Sequence, residues 1–312
     1  MTNLLDKTKQ YLINANQLPS LATMDYIEAR NLRANLPKNK IYEAPLAKIE
    51  NRSILMRDGA EIDIRIYTPV GQGPFPIIMY YHGGGWVLND LNTCHESCSR
   101  LAEKTNQIVV SVAYRLAPEF KFPIPVYDAF DSFLWTVDHA KSFHGDAHMI
   151  SVAGDSAGGN LAIAVCELAH YHERNLPITA QLLLYPVTDM SYSSNSYSLF
   201  KEGFGLDLDV MKWFGDYYIQ HEEDTKNPLL APLQLQDYSF LPPACIFVAE
   251  NDVLRDEAIE YGDRLIHAGI ETERTIMLGI VHSYFTHNEI FQDEIEKTIQ
   301  QIASFLKRLM NE

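Results

Sequence analysis

The segment Gly154-Asp155-Ser156-Ala157-Gly158-Gly159-Asn160 contains the spacing G-x-S-x-G. It stands between an apolar run, Met149–Ala153, that predicts a strand and a stretch, Ala157–His172, that predicts a helix with Leu161, Val165 and Leu168 on one stripe. At such a junction the chain must turn sharply, and glycines on either side avoid side-chain collisions while the serine hydroxyl projects above the sheet. Ser156 in that position is a candidate nucleophile, and the dipole of the following helix favours negative charge developing beside it. Outside that context the same five residues would be a glycine-rich turn with an incidental serine.

A second segment, His82-Gly83-Gly84-Gly85-Trp86, follows the apolar run Ile77–Tyr81. Three glycines let the backbone approach a bound carbonyl and aim N–H groups at its oxygen, so Gly83, Gly84 and Gly85 are candidate oxyanion donors together with the amide of Ala157. One such donor stabilises a transition state by roughly 3 kcal/mol. Which two of the three glycine amides serve is left open. Neither G-x-G-x-x-G nor G-x-x-x-x-G-K-[ST] is present here, which disfavours nucleotide binding. His82 is expected to brace the loop by hydrogen bonding.

A serine nucleophile needs a base, and the base needs an orienting carboxylate. Asp252 lies just past the run Ala244–Ala249, and His282 just past Thr272–Leu278. Catalytic groups of a parallel sheet gather at the carboxyl ends of its strands, which is where both residues fall. Asp256 and Glu257 lie about one turn into the next helix, where acidic residues are ordinary dipole partners. His267 and His287 sit in helical stretches and read as packing or surface residues.

The elements that must position these groups follow from the apolar pattern. Residues 1–50 are polar, with a helical pattern in Met24, Ile27 and Leu32 ending near Leu36-Pro37 and no convincing strand. Ile54 to Met56, then Ile62, Ile64 and Ile66 in alternation, flank the turn signal Asp58-Gly59 and predict a hairpin at a sheet edge. Ile77–Tyr81, Ile108–Ala113, Met149–Ala153, Gln181–Tyr185 and Ala244–Ala249 are nearly continuous apolar runs, as in strands buried on both faces. Helical stretches such as Glu96–Lys104 and Tyr127–His139 lie between most of them, which predicts a mostly parallel α/β sheet. The long connection after Tyr185-Pro186 carries an aromatic helical patch at Met211–Ile219 and reads as an inserted helical segment that could join residues 1–50 as a lid. A final amphipathic helix carries Ile290, Ile295, Ile299, Ile302, Phe305 and Leu309.

With 312 residues and 46% hydrophobic content, the chain can bury a sizeable core without disulfides or metal. Twenty-five Lys and Arg against 41 Asp and Glu leave a formal charge of −16, which repels nucleic acid and anionic membrane surfaces and favours a neutral small-molecule partner. Cys94, Cys98, Cys166 and Cys245 are too sparse for a disulfide framework. Cys94 and Cys98 around His95 lack a second ligand pair with zinc-like spacing, so no metal is expected. No signal peptide pattern or membrane-length apolar run is present, and a cytoplasmic location is expected.

Together, HGGGW at 82–86, AYRLAPE at 113–119, GDSAGGN at 154–160, DVLRDE at 252–257 and VHSYF at 281–285 make the chain resemble the hormone-sensitive-lipase-like family of bacterial esterases, within the α/β-hydrolases, over roughly residues 50–312. The order serine, acid, histidine is the one those enzymes use. The resemblance implies an α/β-hydrolase fold with Ser156 as nucleophile, Asp252 as acid, His282 as base, and oxyanion donors from Gly83–Gly85 and Ala157. It also implies a helical cap built from residues 1–50 and the insertion 187–230, over a core formed by 51–186 and 231–312. No cofactor is implied. Val253 stands where the family usually has proline, and Ser283 where it usually has glycine; both change loop stiffness more than chemistry. Arg115, Glu119 and Glu257 are expected to tie loops by ion pairing.

The expected activity is hydrolysis of uncharged, short-chain carboxylic esters. Trp86, Phe204, Phe214, Tyr217 and Phe285 are candidate walls of a short acyl pocket, with ordinary core packing as the alternative. An amidase or acyltransferase would use the same triad. A non-catalytic ligand-binding protein on this scaffold would show a damaged triad, whereas all three groups are present here. Monomer and homodimer both remain open.

Overall fold

A computed structural model describes residues 4–35 and 42–310. Its frame is an eight-stranded sheet. The strands are β1 (Leu46–Leu55), β2 (Glu61–Pro69), β3 (Phe75–Tyr81), β4 (Ile108–Val112), β5 (Gly145–Asp155), β6 (Gln181–Leu184), β7 (Ala244–Asn251) and β8 (Thr272–Val281). They lie in the order β1-β2-β4-β3-β5-β6-β7-β8. β1 pairs antiparallel with β2, and β2 antiparallel with β4; every other pairing is parallel.

The continuous apolar runs are explained by the pleat, which sends successive side chains to opposite faces. On β3, Ile77, Met79 and Tyr81 enter one core cluster while Ile78 and Tyr80 enter the other. The first cluster includes side chains of α4 (Ile124–His139), α5 (Ala157–His170) and α8 (Arg255–His267). The second includes those of α3 (His95–Thr105) and α9 (Gln292–Leu309). Helices on both faces leave no polar side to the central strands, as the sequence pattern anticipated.

The hairpin lies at the sheet edge as expected, with Gly59 at φ 83° in its turn. The expectation that residues 1–50 hold no strand is corrected, because β1 already begins at Leu46. Lys48, Glu50 and Arg52 lie along this edge strand, and Ile54 is its one buried side chain, so it has no apolar alternation to betray it.

Four further helices lie in the two segments expected to form a cap: α1 (Asp6–Ala15), α2 (Tyr26–Ala34), α6 (Asn195–Leu199) and α7 (Leu208–Tyr218). Asp25 caps α2, accepting from the Ile27 and Glu28 amides at 2.8 Å while Glu28 reaches back to the Asp25 amide. The expected end of that helix near Leu36-Pro37 lies outside the described residues. Trp213 Nε1 on α7 donates to Met24 O at 2.9 Å, and Asn16 donates to Gly203 O at 3.2 Å, which joins the N-terminal helices to the insertion. No helix among the described residues is long and apolar enough to cross a membrane.

One core-facing group works against this packing. Glu167 on α5 has a buried Oε2 without a partner, and burial pushes its carboxyl up to about 7. A carboxyl raised in the folded chain holds its proton more tightly there than in the unfolded chain, so its contribution to stability becomes less favourable as pH rises from the ordinary carboxylate range toward 7. Glu167→Gln is therefore expected to stabilise the protein at pH 8 by on the order of 1 kcal/mol, discounted for its partial exposure, and to be nearly neutral at pH 4. Urea unfolding at the two pH values measures this.

Candidate active site

β5 ends at Asp155 and α5 starts at Ala157, which leaves Ser156 to make the whole turn, at φ 56° and ψ −119°. A non-glycine residue is strained there. The turn closes because its flanks have no side chains: a Cβ on Gly158 would strike the Tyr81 carbonyl, and one on Gly154 would strike Gly158. The Ser156 amide donates to Leu184 O at 2.9 Å, which ties the turn to β6.

His282 follows β8 directly and Asp252 follows β7 directly. His282 Nδ1 lies 2.6 Å from Asp252 Oδ2, and His282 Nε2 lies 2.9 Å from Ser156 Oγ. The three are nearly enclosed, with exposures of 7% for Ser156, 6% for His282 and 1% for Asp252. The Leu254 amide donates to the other Asp252 oxygen at 3.1 Å and fixes the carboxylate plane. Ser283 adopts φ 63°, a left-handed conformation that costs a non-glycine residue about 1 kcal/mol and accounts for the glycine usual at this place.

The competing residues are engaged elsewhere. Asp256 accepts from the Ser196 amide at 2.8 Å and from Arg255 at 2.7 Å. His267 is exposed and bonds to Asp263 O on its own helix. His287 lies 3.0 Å from the Tyr11 hydroxyl, and burial pushes its imidazole down to about 4.

In the glycine loop one expectation is corrected. The Gly83 N–H donates to Asp155 Oδ1 at 2.9 Å, so this amide is already satisfied and leaves the donor set. The amides of Gly84, Gly85 and Ala157 have no protein acceptor among the described residues. Gly84 and Gly85 have φ of 114° and 59°, values that only glycine adopts readily. His82 braces the loop as expected: its Nδ1 lies 2.8 Å from Gly83 O, its ring stacks on Tyr114 at 4.4 Å, and burial lowers its basicity.

Two positioning groups were not singled out from the sequence. Asp155 is buried and also accepts from the Tyr80 hydroxyl at 2.8 Å; burial raises its carboxyl pKa. Its place between Gly154 and the serine was the available signal. Arg30 on α2 donates to Val87 O and Ala117 O, both at 2.9 Å, and forms a bidentate pair with Glu119. Arg115 pairs with Asp128 and Asp58.

The five aromatic wall candidates divide. Phe214 lies against the Gly85 backbone, where a Cβ would meet its ring. Tyr217 packs inside the cap on Trp213 and Tyr26, and half-buried Phe204 packs on Phe200. Trp86 and Phe285 have no exposed surface: Trp86 stacks on Tyr218 at 4.4 Å, and Phe285 belongs to the cluster beside α3 and α9. These two are core residues, which corrects their assignment as walls. No group of three His, Cys, Asp or Glu among the described residues is arranged to hold a metal ion.

The sequence profile of the α/β-hydrolase fold family matches residues 78–286. The chain belongs to the hormone-sensitive-lipase-like class of that family. The carboxylic ester hydrolase LipN of Mycobacterium tuberculosis is 37% identical to it over 296 residues, covering 90% of this chain and 77% of that protein. An ethyl acetate hydrolase of Pseudomonas putida is 31% identical over 265 residues, covering 84% and 83%. The solved structure of an ester hydrolase from the metagenome of Lake Arreo superposes with a TM-score of 0.92 at 34% identity, covering 99% of this chain and all of that one. This α/β-hydrolase is accordingly a carboxylic ester hydrolase.

The Asp155 contacts generate a kinetic expectation for this hydrolase. Asp155→Ala removes the acceptor for Gly83 N–H and Tyr80 OH and is expected to lower kcat by roughly ten- to a hundredfold with a smaller change in KM, because it displaces the loop without touching bound ester. Asp155→Asn retains an oxygen acceptor and should lose less. Steady-state kinetics of both variants decide it.

Proposed function

We propose that the protein is a serine carboxylesterase acting on short-chain, uncharged acyl esters through Ser156, His282 and Asp252. The observation that carries this reading is the single imidazole that lies 2.6 Å from Asp252 and 2.9 Å from Ser156, beside three amides without protein acceptors.

His282 Nε2 takes the proton as Ser156 Oγ attacks the ester carbonyl, and the carbonyl oxygen becomes an oxyanion held by the Gly84, Gly85 and Ala157 amides. His282 then returns the proton to the departing alkoxide, which leaves as alcohol, and Ser156 remains acylated. A water molecule gives a proton to the same nitrogen and attacks the acyl group; collapse releases the carboxylic acid and restores the serine. Asp252 holds the Nδ1–H tautomer and stabilises the imidazolium formed in each half-reaction. The preference for short acyl groups rests on Phe214 packed against Gly85 and on the small exposure of Ser156, and the similarity to an ethyl acetate hydrolase of Pseudomonas putida supports it.

Ser156→Ala is expected to abolish ester turnover and fluorophosphonate labelling while the chain stays folded; appreciable turnover sinks the assignment. Asp252→Asn should cost on the order of 10⁴ in kcat. Across a series of p-nitrophenyl esters, acetate to butyrate should be best, and a maximum at decanoate or longer overturns the short-chain reading. A matched amide should turn over much more slowly than its ester, and comparable rates would make the protein an amidase.

A further inference from the structure

Glu257 sits in the first turn of α8 with 2% exposure and forms no ion pair among the described residues. Its neighbour Arg255 is committed to Asp256 at 2.7 Å. The ion pair expected from sequence is thus not formed among the described residues. Instead, Glu257 Oε1 accepts two backbone N–H groups, from Thr188 at 2.8 Å and Asp189 at 3.2 Å. These residues lie just beyond Val187, whose amide donates to Ser156 O and whose carbonyl accepts from Asn160.

The other carboxyl oxygen, Oε2, is buried without a partner of ordinary geometry, and so is the hydroxyl of Tyr197, which faces the carboxyl. The ionisable groups around the carboxyl are Asp189 from the segment after β6, and Tyr192 and Tyr197 from the insertion. Asp252 lies beyond Tyr197 on the acid loop. All of these are acids or phenols. A buried anion there would have the acids Asp189 and Asp252 nearby and no ion pair among the described residues to offset the cost of enclosing its charge. A carboxylic acid resolves the pattern, because its carbonyl oxygen accepts the two amides and its O–H donates to an orphaned oxygen.

We propose that Glu257 is a positioning residue that works as a neutral carboxylic acid, joining the segment beside the nucleophile turn to the helix behind the catalytic acid. The link has a second strand nearby, where Ser196 Oγ donates to Val253 O at 2.6 Å and the Ser196 amide to Asp256. Together they fix the insertion against the loop that carries Asp252. The proposal rests on the triad reading above, since the spacing it sets is that between Ser156 and Asp252.

The test compares Glu257→Gln with Glu257→Ala in the full chain. Glutamine reproduces the neutral acid, with its carbonyl oxygen for the two amides and its N–H for Tyr197, and is expected to keep kcat within about threefold of the parent. Alanine is expected to lower kcat by roughly ten- to a hundredfold with little change in KM. The parent's protonated-carboxyl stretch in infrared spectra at neutral pH should include a band lost in Glu257→Gln. The alkaline limb of the parent's kcat profile that reports ionisation of Glu257 should likewise vanish in that variant. A glutamine variant as impaired as the alanine one, or no carboxyl band lost on substitution, overturns the proposal. The infrared result does not depend on catalysis, so it stands apart from a failure of Ser156→Ala to abolish turnover.

Discussion

The site depends on one backbone turn, in which a serine at φ 56° joins the central strand to the helix that crosses behind it. The strain is local, but what holds it is spread through the sheet. Its amide bonds to β6, its carbonyl accepts from Val187, and the space for the crossing exists because Gly158 lies flush against the end of β3. The other elements of the proposed site are placed relative to this turn by a parallel register. β3 to β5 and β5 to β7 run side by side, so the loops that leave their carboxyl ends emerge on the same edge. A parallel sheet therefore converts strand order into proximity among residues far apart in sequence.

Buried acids are the second organising theme. Asp155, Asp252 and Glu257 are all enclosed, and each uses its oxygens differently. Asp252 faces an imidazole that becomes positive in the proposed mechanism, Asp155 faces an amide and a phenol, and Glu257 faces two amides. The first environment can stabilise charge, whereas the other two chiefly hold backbone in place. The large acidic excess of the chain is thus mostly a matter of its surface, while a few carboxyls do structural work inside.

What could be read from residues alone divides along the same line. That Ser156, Asp252 and His282 meet was legible because each follows an apolar run that marks a buried strand, and the ends of such strands converge. The status of Gly83 was not, because its N–H is decided by Asp155, whose position across the loop is a tertiary fact. The first part of β1 was not legible because an edge strand exposed to solvent can be built from Lys48, Glu50 and Arg52 without any apolar rhythm. Aromatic residues were the least informative: Trp86 and Phe214 are both large aromatic residues, yet one is sealed against Tyr218 and the other lies on the backbone of Gly85.

The contacts of α1 bear on how the chain assembles. Tyr11 meets His287 across 276 residues of sequence, and Lys7 meets Glu294 across 287. Closing such loops incurs entropy before any contact compensates, and α1 is too short and too polar to hold its own shape in water. On the ribosome this helix is made long before its partners, so it must wait, unstructured, until the C-terminal helix is finished. The contacts of α1 with Gly279, His287 and Glu294 can therefore form only once the last strand and the segment after it exist.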